Sequence, residues 1–199
     1  MLCNQPDWAA RGQKVWHFQH SNAWWITVLH NVWSLHLDLK SRLFLWRVYV
    51  GGLPLASKLR DRGFTNGKCP RCNKACETAR HTFWYCKLVH EWWMQLRSAV
   101  LHSTGIMLHR FKFTFNTTAY PAQEHEWLIM HIRYWFMQMI WYTRNEALHA
   151  KILHYSVGLP LYRLSIYLSE CMLVDPSLAG SAILSCLIER LTSSSCRAL

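Results

Sequence analysis

The sequence predicts a mostly α-helical protein with one small, irregular metal knuckle set between helices. Three observations carry this. Apolar residues recur at helical spacing in most segments. Strand-like alternation is confined to one five-residue stretch. Four cysteines and a histidine crowd into CPRCNKACETARHTFWYC at 69–86.

The elements follow in chain order. Residues 1–21 read as an N-terminal flank. AWWITVLHNVW at 23–33 places apolar groups at 24, 25, 28, 29, 32 and 33, one face of a helix, with Asn22 as its N-cap. A second helix spans about 38–50, with Leu39, Leu43, Trp46 and Val50 on one side and Gly51–Gly52 ending it. Pro54 opens a short helix in its first turn, carrying Leu55 and Leu59 on one face, and Gly63 caps it. Beyond the cysteines, 87–101 puts Leu88, Val89, Trp92, Leu96 and Val100 at helical intervals. FKFTF at 111–115 alternates and reads equally as a short strand or an extended loop. Three helices follow, at about 122–154, 160–173 and 177–193, the last two parted by Asp175–Pro176. The organisation expected is a helical metal-binding domain over 22–101, a linker or extended segment at 102–121, and a helical C-terminal region at 122–199.

The composition bounds the function. With 51% apolar residues and 12 Trp, the chain has ample material for a core. The net charge of +11 is concentrated. Residues 40–87 carry eleven Lys or Arg against Asp61 and Glu77, a net of +9, whereas 121–199 balance at six against six. A polyanion is the simplest partner for such a field, because each phosphate contact releases condensed counterions. The opening residues lack the basic and then apolar pattern of a secretory signal, and four cysteines crowd one segment while Cys3, Cys171, Cys186 and Cys196 are scattered, a pattern of one metal site and free thiols. An intracellular, reducing setting is expected. The most apolar stretch, 127–142, is interrupted by His131, Arg133 and Gln138, so a buried helix with one wet edge is expected rather than a membrane span.

Cys69-x2-Cys72 is the first half of a structural zinc site, two thiolates reaching one ion from a tight turn. His81-x4-Cys86 supplies a second half. Residues five apart lie about 140° from each other around an ideal helix, so a distorted turn must start at His81, with regular helix from about Lys87. Cys69, Cys72, His81 and Cys86 make a closed tetrahedral shell, which is structural, since catalytic zinc keeps a position open. Cys76 competes: it can replace His81 in an all-thiolate site or pair as Cys72-x3-Cys76. The remaining alternative is a set of buried thiols holding no metal.

The order Phe44-Leu45-Trp46-Arg47, Leu53-Pro54, Leu59, Arg62-Gly63, Cys69, Cys72, Glu77-Thr78, His81, Phe83, Cys86 and Trp92/Trp93 resembles the zinc-binding domain that follows the polymerase in plant non-LTR (LINE-type) retrotransposon reverse transcriptases. Trp141-Tyr142-Thr143-Arg144-Asn145 resembles a downstream W-x-x-R-N element of that family. Leu55 stands where the family usually has Thr, and Lys74 where a Gly often completes the knuckle turn. The resemblance implies Zn²⁺ on Cys69, Cys72, His81 and Cys86, with Cys76 outside the shell, and an upstream reverse transcriptase domain as a possible partner.

Polymerase chemistry is not expected of this chain. It has no adjacent pair of acidic residues to hold Mg²⁺, no phosphate-cradling Gly-rich loop, and no second His completing a zincin motif after His125-Glu126. The expected role is non-catalytic: a module holding template RNA or target DNA. Arg60, Arg62, Lys68, Arg71, Lys74 and Arg80 would contact phosphate. Phe83, Trp84 and Tyr85 either offer stacking faces or, Phe83 and one neighbour, pack beneath the metal. The rival readings are a clasp that docks on the polymerase domain and a mobile-element remnant that still folds.

Overall fold

The computed structural model describes residues 7–35, 37–117, 123–149, 159–175, 178 and 180–196. Its helices are α1 (Trp8–Trp16), α2 (Asn22–Ser34), α3 (Leu39–Tyr49), α4 (Ala56–Arg60), α5 (Lys87–Thr104), α6 (Arg110–Phe115), α7 (Gln123–His149), α8 (Leu159–Val174) and α9 (Ala182–Cys196). A five-residue π turn, His81–Tyr85, leads directly into α5. No strand occurs among the described residues. The expected run of α7 through 150–154, Cys3 and Pro176 lie outside them.

Local chemistry sets the helix ends. Asp7, Ser21 and Asp38 cap α1, α2 and α3 by accepting the N–H of Ala10, Trp24 and Ser41. The cap of α2 is therefore Ser21, and Asn22 is already helical. Pro54 is not in the first turn of α4, which begins two residues later. The helix ends in a Schellman pattern, with Phe64 N–H on Leu59 O and Gly63 N–H on Arg60 O, and Gly63 at φ +77°.

The segment expected to flank the fold contributes α1, whose Trp16 is fully buried. Gly12 allows the close approach of α1 to α2, since a Cβ there would stand 2.6 Å from the Trp25 ring. Around Trp16 gathers an aromatic nest: Trp84 and Phe115 at 5.0 Å, Phe83 at 6.2 Å, and Phe18 stacked on Trp25 at 5.5 Å. These rings decide the fate of FKFTF, which is neither strand nor loop but helix α6. Phe113, Thr114 and Phe115 are consecutive and all buried, which a strand with one wet face cannot provide. Helical winding also brings Phe111 to within 5.1 Å of Phe115, and Asn116 closes α6 in the left-handed conformation.

Helix α3 is rotated from its expected face. Leu39 is 59% exposed, while Ser41, Leu45, Val48 and Tyr49 are buried. Val50, on the expected face, is buried, and a hydrogen bond from Tyr49 ties the observed face to α6. The Ser41 hydroxyl donates to Asp38, and the Tyr49 hydroxyl donates to Thr114 O at 2.5 Å inside the core. Leu43 and Trp46 flank the buried stripe. Helices α8 and α9 pair, and both contact α5. The long α7 contacts α3, α6, α8 and the π turn. No described helix is long and apolar enough to cross a membrane.

Candidate metal centre

The first half of the site is a tight turn. Asn73 N–H bonds to Cys69 O at 2.8 Å, Cys69 N–H to Ala75 O at 2.8 Å, and Lys68 bridges Cys76 in antiparallel fashion. The left-handed position of this turn falls on Asn73 (φ 51°), a residue type that tolerates it. Lys74 therefore needs no glycine conformation.

The second half is the π turn. Cys86 N–H bonds to His81 O at 2.8 Å, an i→i−5 bond that brings residues five apart onto one side. This is the distortion that the His81-x4-Cys86 spacing demands, and α5 starts at Lys87.

Together the halves bring Cys69, Cys72, His81 and Cys86 together, with one ligand atom from each within 4.8 Å of every other. A tetrahedral ion with Zn–S bonds of about 2.3 Å needs sulfurs about 3.8 Å apart, so the cluster fits Zn²⁺ with small adjustments. His81 Nε2 lies 3.4 Å from Cys72 Sγ, and Thr78 Oγ1 accepts the His81 N–H. Cys69 and Cys86 are fully buried, while Cys76 is exposed and outside the cluster. A hydrogen bond from Cys86, helped by His81 and the Arg71 charge, holds the Cys69 thiol far below its ordinary range. Cys86, which keeps the shared proton, is pushed up. A bound Zn²⁺ takes that proton's place, and the shell of three thiolates and one imidazole carries about −1.

Arg71 answers that charge, and here an expectation is corrected. It is 4% exposed and cannot reach a phosphate. Its guanidinium donates to Thr82 O at 2.6 Å and Ile140 O at 2.9 Å, with Thr143 Oγ1 at 3.4 Å. The residue between the two cysteines is turned inward, toward α7.

A second buried arginine completes the support. Glu77, fully buried, accepts from Arg144 Nε at 2.8 Å and Nη2 at 2.7 Å, a bidentate pair. The Glu77 carboxylate also accepts the Ala56 N–H, and so caps α4 where Leu55 has no side-chain oxygen to offer. Arg144 Nη2 further donates to Pro54 O, and its guanidinium lies 4.8 Å from the Trp141 ring. The Glu-Thr and W-x-x-R-N elements, 67 residues apart, thus meet in one contact.

The remaining expected phosphate contacts lie at the surface. Arg60, Arg62, Lys68 and Lys74 are exposed. Arg60 pairs with Asp61, while no ion pair among the described residues engages Arg62, Lys68 or Lys74. Arg80 is half-buried and donates to the Tyr85 hydroxyl at 2.7 Å. Phe83 and Trp84 are buried beneath the knuckle; Tyr85 is 57% exposed.

Residues 12–93 match the family described as zinc-binding in reverse transcriptase. That segment is similar to this family. The family is a zinc-binding accessory domain, distinct from the catalytic polymerase domain. Neither a curated protein nor a solved structure matches the chain. The matched segment begins within α1 and ends within α5, so it takes in the second half of α1 and the first turns of α5.

Proposed function

We propose that this chain is a non-catalytic structural-zinc module of a LINE-type reverse transcriptase polyprotein that helps hold template RNA or target DNA. The observation that carries the reading is the placement of Arg62, Lys68 and Lys74, exposed and without a carboxylate partner among the described residues, around a knuckle whose own charge Arg71 offsets. Such cations bind phosphate without reading sequence. The closed ligand shell supports a shaping role for the metal.

A salt titration of binding tests it. The zinc-loaded chain is expected to bind single-stranded RNA and duplex DNA with affinity falling steeply with salt, by about 0.7 to 0.9 in log–log slope per phosphate contact. Replacing Arg62, Lys68 and Lys74 by Gln should flatten that slope. A folded, zinc-loaded sample that binds neither at low salt overturns the proposal. That result favours docking on a polymerase domain, which the exposed Tyr162, Ile166, Leu173 and Val174 of α8 support.

A further inference from the structure

Beside the knuckle lies a cavity of about 400 Å³, lined among others by Trp84, Tyr85, His90, Trp93, Arg97 and Arg110. Its size suits one small organic ligand. Two arginines face it, and no carboxylate among the described residues lines it. Arg110 donates to Trp84 O at 2.9 Å and to His90 Nδ1 at 2.8 Å, and its guanidinium lies 5.5 Å from the Trp93 ring. Arg97 donates only to the Met107 thioether, at 2.9 and 3.0 Å. A thioether is a weak acceptor that an anion readily displaces. Burial, with the Arg97 charge adding to it, disfavours the charged form of Arg110, a cost that an anion beside it offsets. No ion pair among the described residues involves either.

The wall adds aromatic surface. Tyr85 is the exposed ring, held by Arg80, whose guanidinium lies 5.2 Å from its centroid. Cations without counter-ions next to an exposed aromatic ring suit a ligand that unites a phosphate with a flat base. We infer that the cavity seats one nucleotide of a single-stranded nucleic acid, its base on Tyr85 and its phosphate between Arg97 and Arg110. This deepens the nucleic-acid reading above and rests on it. The site is distinct from the phosphate contacts at 60–80 because it discriminates: a base locked in a duplex cannot reach the ring.

The test uses the full zinc-loaded chain with a uridine hexamer, a duplex of equal charge, and uridine monophosphate as competitor. Tyr85→Leu and Arg97→Gln should each weaken hexamer binding by about tenfold while leaving duplex binding and zinc content unchanged. In the unmodified chain, a 5-iodouridine hexamer should photocross-link to Tyr85 or Trp93. Equal losses on hexamer and duplex, no loss on either, or adducts only outside the cavity overturn the inference and leave the general reading intact. Displacement of the hexamer by an equal concentration of the monophosphate overturns the assignment to a strand. Absence of all binding by the unmodified chain defeats both readings at once.

Discussion

The knuckle and the aromatic nest lie side by side, sharing Phe83 and Trp84, yet they are held by opposite means. The nest around Trp16 is nearly all hydrocarbon, and its stability scales with buried area. The knuckle buries Arg71, Glu77 and Thr82, and the first two bond backbone groups, Thr82 O and the Ala56 N–H, with their side chains. Metal ligation and two arginines replace apolar contact there. The lesson is that a short loop can be rigid without a core of its own if a neighbouring helix supplies the charges.

The largest effect should come from zinc removal. Structural zinc contributes on the order of 10 kcal/mol in small zinc-dependent folds. Chelation, or Cys69→Ser, is expected to unfold 67–86 while the nest retains part of its near-ultraviolet dichroism. Simultaneous loss of both signals would show the two regions to be one cooperative unit. Next, Arg144→Met leaves the Glu77 carboxylate buried without its cation, at a cost of about 3–5 kcal/mol. Denaturant melts should show the double variant Glu77→Gln with Arg144→Met to be less destabilised than Arg144→Met alone; additivity would dismiss the pair as a unit. Phe115→Ala, in the nest, should cost about 3–4 kcal/mol with zinc stoichiometry unchanged. Zinc loss in that variant would erase the distinction drawn between the regions.

The smallest effect lies away from both. Burial pushes the His131 imidazole on α7 down to about 4, with the charge of Asp175 opposing, and its Nδ1 lies 2.9 Å from the Tyr167 hydroxyl. The unfolded chain binds the extra proton below about 6.5, so stability should fall as pH drops from there toward 4 and stay flat above. His131→Phe should remove this component, seen as a smaller difference in melting midpoint between pH 7 and pH 5 than in the unmodified chain.

The metal ligands were legible in the sequence because a ligand set is a spacing, and spacing survives without coordinates. Even the distorted turn followed from five residues and 100° per residue. Arg71 was not legible as a buried cation: its neighbours show only that it sits inside a cluster of positive charge. Whether it faces solvent or α7 depends on Ile140 and Thr143, about 70 residues away. The helix at 111–115 was hidden for a similar reason, since its alternation is overruled by rings from α1 and α2. The face of α3 was only partly legible: Val50 is buried, but so is Tyr49, whose hydroxyl donates to Thr114 O of α6. Glu-Thr and W-x-x-R-N were each visible, but their meeting was not.

That meeting has a thermodynamic corollary. Arg71 and Arg144 fasten the two sides of the knuckle to positions 140–144 of α7, about one helical turn. Metal affinity and α7 docking are therefore linked functions: zinc strengthens the docking of α7 by the same free energy by which docked α7 strengthens zinc binding. A ligand or partner that shifts α7 is registered as a change in the zinc dissociation constant, so the metal doubles as a reporter of the state of a helix it never touches.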